Sequence, residues 1–157
     1  MFRKLQNFLF GTLPNPPDAT KFYNGAGQFS TPPGGAVRRT ITWVIDGGGS
    51  VIATGARDVV TVPFTCTIKK WRILSSDAAI TSGSIVIDLW KDTYANFPPL
   101  VADTITAAAK PTVTAGIQNE DSTLTGWTLA ITAGDILRLN VDSASGFTKV
   151  RLEVEVE

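Results

Sequence analysis

The chain has 157 residues and no formal net charge, its 7 Lys and 7 Arg matching 10 Asp and 4 Glu. With 43% apolar and 18% charged residues it can bury a core, which sets aside wholesale disorder and nucleic-acid binding driven by bulk charge. There is no His, one Cys (Cys66) and one Met, so the commonest general base, the commonest metal ligand and any intrachain disulfide are missing. Thr, Val and Ile make up 45 of the 157 residues. Such side chains are stiff at χ1 and fit a pleated surface, so the composition predicts an all-β fold.

The chain opens with Arg3 and Lys4 ahead of apolar residues, which superficially resembles a secretory signal. Gln6 and Asn7 interrupt it, however, and the unbroken apolar run is only Phe8-Leu9-Phe10. No stretch approaches the eighteen or so apolar residues of a membrane span. Residues 1–37 are punctuated by Gly11, Pro14, Pro16, Pro17, Gly25, Gly27, Pro32, Pro33, Gly34 and Gly35, so no regular element runs far, and they read as an extended arm. Within it Phe2, Leu5, Phe8 and Leu9 recur at helical spacing with Phe10 beside them. A helix this short is marginal in water and would form against a partner surface. Packing of the same segment on its own domain is the alternative, and both readings stand.

From residue 38 the pattern becomes alternation, and residues 38–157 read as one β domain. Ile41, Trp43 and Ile45 share one face of a strand from Arg39 to Asp46, and Gly47-Gly-Gly-Ser50 then makes a hairpin or tight loop. A strand from Val59 to Val62 follows. In the next one, Phe64 to Leu74, Phe64, Cys66 and Ile68 share one face and Trp71 and Ile73 the other, so a β-bulge or a crossing between sheets is expected near Lys69-Lys70. Cys66 reads as an inert core residue. Ser84 to Trp90 is nearly continuously apolar, as in a central strand covered on both faces. Asn96-Phe-Pro-Pro99 must leave the sheet, making a loop with aromatic content. Short edge-like strands are expected at Thr104–Thr106 and Thr112–Thr114. Three more run over Leu124–Ile131, Ile136–Val141 and Phe147–Val156, with a turn at Asp142-Ser-Ala-Ser-Gly146. In the last strand Val150, Leu152, Val154 and Val156 face in while Lys149, Arg151, Glu153 and Glu155 face out. About eight strands without helical pattern between them indicate an antiparallel two-sheet β-sandwich, with the jelly roll as the preferred topology. Strand count alone does not separate it from an immunoglobulin-like order.

The chemistry is sparse. Without His a Ser-His-Asp triad is impossible, and no supporting motif accompanies a Ser-Lys dyad. Glu153, Glu155 and Glu157 repeat on one face about 7 Å apart, but their alternation with Arg151 and buried valines reads as a solvated sheet face. Asp46, Asp58, Asp88, Asp92, Asp103 and Asp135 could be gathered as oxygen ligands, yet no calcium-loop motif is present and turn-forming Asp is the better reading. Catalytic, cofactor-binding and metal residues are therefore expected to be none. Trp90, Tyr94 and Phe97 form a candidate exposed aromatic loop that could stack on a sugar ring, pack under itself or make a subunit contact.

Ser84-Ile-Val-Ile-Asp-Leu-Trp-Lys-Asp-Thr-Tyr-Ala-Asn-Phe-Pro-Pro99 resembles a stretch of tailed-bacteriophage virion structural proteins. Asp103-Thr-Ile105, Lys110-Pro111, Leu124-Thr-Gly-Trp127, Gly134-Asp-Ile-Leu137, Asn140-Val-Asp-Ser143 and the upstream Ile45-Asp-Gly-Gly-Gly-Ser-Val-Ile52 follow the same pattern in order. Separately, Pro17-Asp-Ala-Thr-Lys-Phe-Tyr-Asn-Gly-Ala-Gly-Gln-Phe29 is similar to the Asp-Ala-Thr-Lys-Phe linker of phage fibre and head-decoration proteins, with Tyr23 and Ala26 where that linker often has Leu and Asp. The resemblance implies a virion protein without enzymatic activity, a homotrimer whose partners are the major capsid protein or other virion proteins. It favours capsid decoration, with a short tail or collar fibre that binds a host glycan as the other option; nucleic acid and membrane are not expected partners. The candidate anchoring residues are Phe2, Leu5, Phe8, Leu9 and Phe10, with Phe22 and Tyr23 farther along the arm.

Overall fold

A computed structural model describes residues 36–76 and 83–157 in full, together with the backbone of residues 22–23 and 29–30. The chain divides into two units, Met1–Ala36 and Val37–Glu157. In the first, Phe22–Tyr23 (β1) pairs antiparallel with Phe29–Ser30 (β2). The second is all β: Arg39–Asp46 (β3), Gly55–Thr61 (β4), Cys66–Ser75 (β5), Gly83–Asp92 (β6), Thr112–Gly116 (β7), Gln118–Asp121 (β8), Ala130–Ile131 (β9), Ile136–Ser145 (β10) and Lys149–Val156 (β11).

These strands form two antiparallel sheets in the orders β3-β11-β5-β8, with the short β9 also on β5, and β4-β10-β6-β7. Leaving out β9, the eight principal strands run first-eighth-third-sixth in one sheet and second-seventh-fourth-fifth in the other. That is the strand order of a jelly roll, so the sandwich topology expected from the sequence is the one observed.

The β11 alternation organises the core. Val150, Leu152, Val154 and Val156 are fully buried, and β11 pairs along its length with β3 and with β5. Ile85, Ile87 and Leu89 of β6 face them from the other sheet with Leu137, Leu139 and Val141 of β10. On the outer face of the β11 sheet, charges pair across strands: Glu120 takes both Lys70 and Arg72, Arg72 also meets Glu153, and Arg38 meets Glu155 and Glu157.

Several local expectations are corrected. The phase change in β5 is a bulge, since Glu155 opposes Lys70 while Val156 opposes Ile68, leaving Lys69 over. It turns Cys66, Ile68, Trp71 and Ile73 all inward, so Trp71 and Ile73 do not occupy the opposite face. Of the two forms expected for Gly47–Ser50 the structure has the tight loop, because β3 and β4 belong to different sheets. β10 does not stop at Val141: a second bulge leaves Asp142 over and the ladder continues to Ser145 opposite Ser84. Residues 104–106 lie beside β6 through a single Trp90–Thr104 bridge, not a strand. Only Ala130–Ile131 of the span 124–131 is extended in a ladder, and β8 is a strand to which the sequence pattern assigned no element. Positive φ at Leu124 and Gly126 makes the turn that replaces the expected start of that strand.

Connections sort by end. At one end the 47–54 loop meets the 146–148 turn, through Gly47 N–H to Thr148 O (2.7 Å) and Ile52 N–H to Phe147 O (2.9 Å). At the other end lie the 62–65 loop, the long 93–111 connection and the 122–135 connection, tied by Val62 N–H to Asp135 O (2.9 Å). The start of β3 and the end of β11 share this second end, because Arg39 opposes Val156, and Thr67 and Glu157 exchange two backbone bonds.

Gly83 starts β6 under the ring of the fully buried Phe147, where a Cβ would lie 2.9 Å from Cζ. Gly83→Ala is expected to lower unfolding free energy by roughly 1–3 kcal/mol through overpacking, read as a fall in the urea midpoint with unchanged slope.

Candidate functional site

β6 is covered on both faces, as its apolar run suggested, but its outer cover is built on a carboxylate. Asp88 is 1% exposed. Its Oδ1 accepts Thr104 Oγ1–H and Thr106 Oγ1–H, each at 2.6 Å, and its Oδ2 accepts Trp90 Nε1–H at 3.0 Å. Lys110 Nζ stands 3.1 Å from Oδ2 and 2.6 Å from Asp142 Oδ2, while Asn140 Nδ2 donates to the other Asp142 oxygen at 2.6 Å. The β10 bulge brings Asp142 into this chain of contacts. A buried anion must be met by donors, and here hydroxyls, an indole and an ammonium supply them. Burial pushes the Asp88 carboxyl up, but the bonds from Thr104, Thr106, Trp90 and Lys110 outweigh it and hold the group below its ordinary value.

This hub fixes the long connection after β6. Beyond Asp92, two 3₁₀ turns, Tyr94–Asn96 and Val101–Asp103, flank Pro98 and Pro99. Asp92 accepts Thr93 N–H (2.7 Å) and Asn96 Nδ2–H (3.1 Å), and Asp103 accepts Leu100 N–H (2.7 Å). Arg138 of β10 donates to Pro99 O at 3.0 Å while its guanidinium lies 5.7 Å from the Trp90 ring centre. Ile105 N–H bonds Leu89 O, and Trp127 Nε1–H bonds Ala109 O at 2.8 Å, joining this connection to the 122–135 segment.

The predicted aromatic loop is therefore divided. Tyr94 is 83% and Phe97 53% exposed, but Trp90 is buried. Its indole N–H is spent on Asp88 and Arg138 lies over its ring, so it offers no stacking face. Leu100 and Val101, which sequence reading passed over, are 56% and 67% exposed in the same loop. The signal available was an aliphatic pair placed directly after two prolines. Of the candidate anchoring residues, Phe2, Leu5, Phe8, Leu9 and Phe10 lie outside the described residues, and Phe22 and Tyr23 are described only as the backbone of β1.

The acidic residues do the work of turns. Asp46 accepts Gly48 N–H, Asp121 accepts Thr123 and Leu124 N–H, and Asp135 accepts Thr132 N–H. Among the described residues no group of three or more Cys, Asp or Glu could hold a metal ion. Burial pushes the Cys66 thiol up, away from nucleophilic thiolate. A groove of about 400 Å³ lined by Arg72, Leu74, Gln118, Asn119 and Glu120 lies open on the β5–β8 edge, with Arg72 and Glu120 already paired to each other.

No protein-family model matches the chain. No curated protein matches it. Among solved structures it is similar to the cyanophage Pam1 capsid asymmetric unit, at 14% identity over 85% of this chain and 95% of that one, with a TM-score of 0.31. It is also similar to the structure of infectious bursal disease virus Gx strain, at 13% identity over 82% of this chain and 40% of that one, with a TM-score of 0.29. Superpositions this loose carry no weight for function.

Asp88→Ala would leave the Trp90 indole and the Thr104 and Thr106 hydroxyls without their carboxylate acceptor and Lys110 with Asp142 alone, and is expected to cost about 3 kcal/mol of unfolding free energy, measured by urea titration. Because the folded Asp88 value is depressed, its contribution is complete above the unfolded carboxyl value near ~4 and disappears as pH falls through the folded value. The stability gap between wild type and Asp88→Asn should accordingly narrow as pH is lowered below about 4. A gap that held constant down to acid unfolding would show that the Asp88 charge contributes nothing.

Proposed function

We propose that the protein is a non-enzymatic structural protein of a bacteriophage virion: a capsid decoration (cement) protein that fastens through residues 1–37 and stabilises the shell as a homotrimer. The observation that carries this reading is where the chain enters the jelly roll. A Pro- and Gly-rich segment tipped with Phe2, Leu5, Phe8, Leu9 and Phe10 joins the sandwich at Val37, at one end of it. Such an arrangement suits an anchor with a displayed head. Jelly rolls serve capsid and lectin domains alike, so the fold does not choose between them. The resemblance of residues 40–157 to tailed-phage structural proteins, and of residues 17–29 to their linker, supports the virion.

Energetically the anchor is reasonable. Each large apolar side chain fully buried in a groove of the shell contributes on the order of 1.5–3 kcal/mol before ordering costs, and three arms on one trimer act together by effective concentration. The absence of His, and the engagement of Asp88 and Lys110 with each other, support a role without catalysis. A glycan-binding fibre is the weaker reading. Trp90 is covered, which leaves only Tyr94 and Phe97 of the three aromatics exposed to stack on a sugar.

The test is binding to bare capsids. Wild-type protein is expected to saturate them and raise their resistance to heat, and the full-length Phe8→Asp/Leu9→Asp variant to lose both effects while keeping the β-rich circular dichroism spectrum. Unchanged capsid binding by the variant would remove the anchor from this account. Wild-type protein that ignores capsids but is retained on a glycan array would replace it with the fibre.

A further inference from the structure

Among the described residues of the sandwich most exposed large apolar side chains occur singly: Val37, Val44, Val51, Val59 and Ile117 are spread over separate strands and loops. The exception is the loop after β6, where Tyr94, Phe97, Leu100 and Val101 are 83%, 53%, 56% and 67% exposed within eight residues. Exposed apolar surface concentrated in this way marks an interaction site more often than a bland surface.

We propose that this loop is the surface on which a second copy of the chain packs. The inference rests on the oligomer in the proposed function and names its contact. Three features of the loop support this occupant. First, residues 93–102 contain no charged side chain, and the two carboxylates that bracket them, Asp92 and Asp103, are turned onto the loop's own backbone. Around a symmetry axis a patch meets identical copies of itself, so any net charge would repel itself and an uncharged patch does not. Second, part of the loop's polar content is engaged internally: the Asn96 amide goes to Asp92 and the Pro99 carbonyl to Arg138. Its four large exposed side chains, two aliphatic and two aromatic, carry one polar group among them, the Tyr94 hydroxyl, which suits a protein contact better than a sugar that needs several accompanying hydrogen bonds. Third, the loop is already fixed by those bonds and by the Asp88 hub, so little conformational freedom remains to be lost on association.

The position adds a consequence for attachment. The loop lies at the end where the chain enters at Val37, so copies that meet there bring their Val37 positions to one side of the assembly. That common side is what a multivalent anchor needs.

The experiment is the mass of the full-length chain by sedimentation equilibrium over a range of concentrations, beside the double variant Tyr94→Ser/Val101→Ser. Both positions are highly exposed, so the fold should survive, and thermal unfolding of the variant at low concentration checks this. Wild type is expected at a multiple of 16.7 kDa and the variant at or near 16.7 kDa, with its dissociation constant raised about tenfold or more. A control substitution at another exposed valine, Val51→Ser, should leave the mass unchanged. If wild type is an oligomer and the double variant associates equally well, the contact lies elsewhere and only the oligomer of the proposed function stands. Monomeric wild type overturns both. Retention of wild type on neutral glycans, lost in the variant without any change in mass, would assign the loop to saccharide instead. Capsid binding measured separately, on the Phe8→Asp/Leu9→Asp chain, keeps failure of the anchor distinct from failure of this contact.

Discussion

A carboxylate placed in the middle of an apolar strand has to be neutralised where it stands, and much of one half of the molecule follows from that requirement. Asp88 sits on the outer side of β6, between residues whose inward neighbours, Ile87 and Leu89, are fully buried. Removing it from water is tolerable only with hydroxyls, an indole and an ammonium around it. Those donors come from residues 90, 104, 106 and 110, so the chain between β6 and β7 has to lie back along the strand it has just left. The β10 bulge that turns Asp142 toward Lys110 belongs to the same arrangement. The return of the chain along β6 is in this way tied to one group, while Asp92, Asp103 and Arg138 hold the exposed loop beyond it.

Legibility in the sequence divided along physical lines. The two-sheet sandwich was readable because burial imposes period two, in the valines of β11 and the apolar run of β6; the jelly-roll strand order, preferred from the sequence but not separated there from an immunoglobulin-like one, is decided by the pairings. The bulge near Lys69 was readable as a phase error, although its consequence was not. Alternation alone cannot say whether a phase change moves residues to the other face or restores them to the same one, and Trp71 and Ile73 return inward. The continuation of β10 through Asp142–Ser145 was hidden because Asp, Ser and Gly are turn formers, and a bulge lets them stay in a ladder. β8 escaped notice because an edge strand of exposed Gln118, Asn119 and Glu120 has no apolar period to reveal it.

The candidate site shows the same limit more sharply. Trp90, Tyr94 and Phe97 are neighbours in sequence, and nothing in sequence tells that an aspartate two residues before Trp90 captures its indole while the other two stay out. Partnering across 16 or 18 residues, as for Thr104 and Thr106 with Asp88, is a tertiary fact. The exposed pair Leu100 and Val101 follows the prolines so closely that it read as loop filler. The acidic turn residues, by contrast, behave as short polar side chains beside free N–H groups should, and each of Asp46, Asp121 and Asp135 caps its own local turn.

Both ends of the sandwich's backbone, Val37 and Glu157, lie on the side of the 93–111 loop, whereas the Gly47–Ser50 loop closes the opposite side. Gly48 and Gly49 have φ of +63° and +87° with open space around them. A peptide cargo spliced between those two glycines would project from the end of the sandwich opposite Val37, whereas the same cargo fused after Glu157 would emerge at the end that holds Val37. The connection carrying the two glycines, residues 47–54, joins strands of different sheets, so an insertion there interrupts neither ladder.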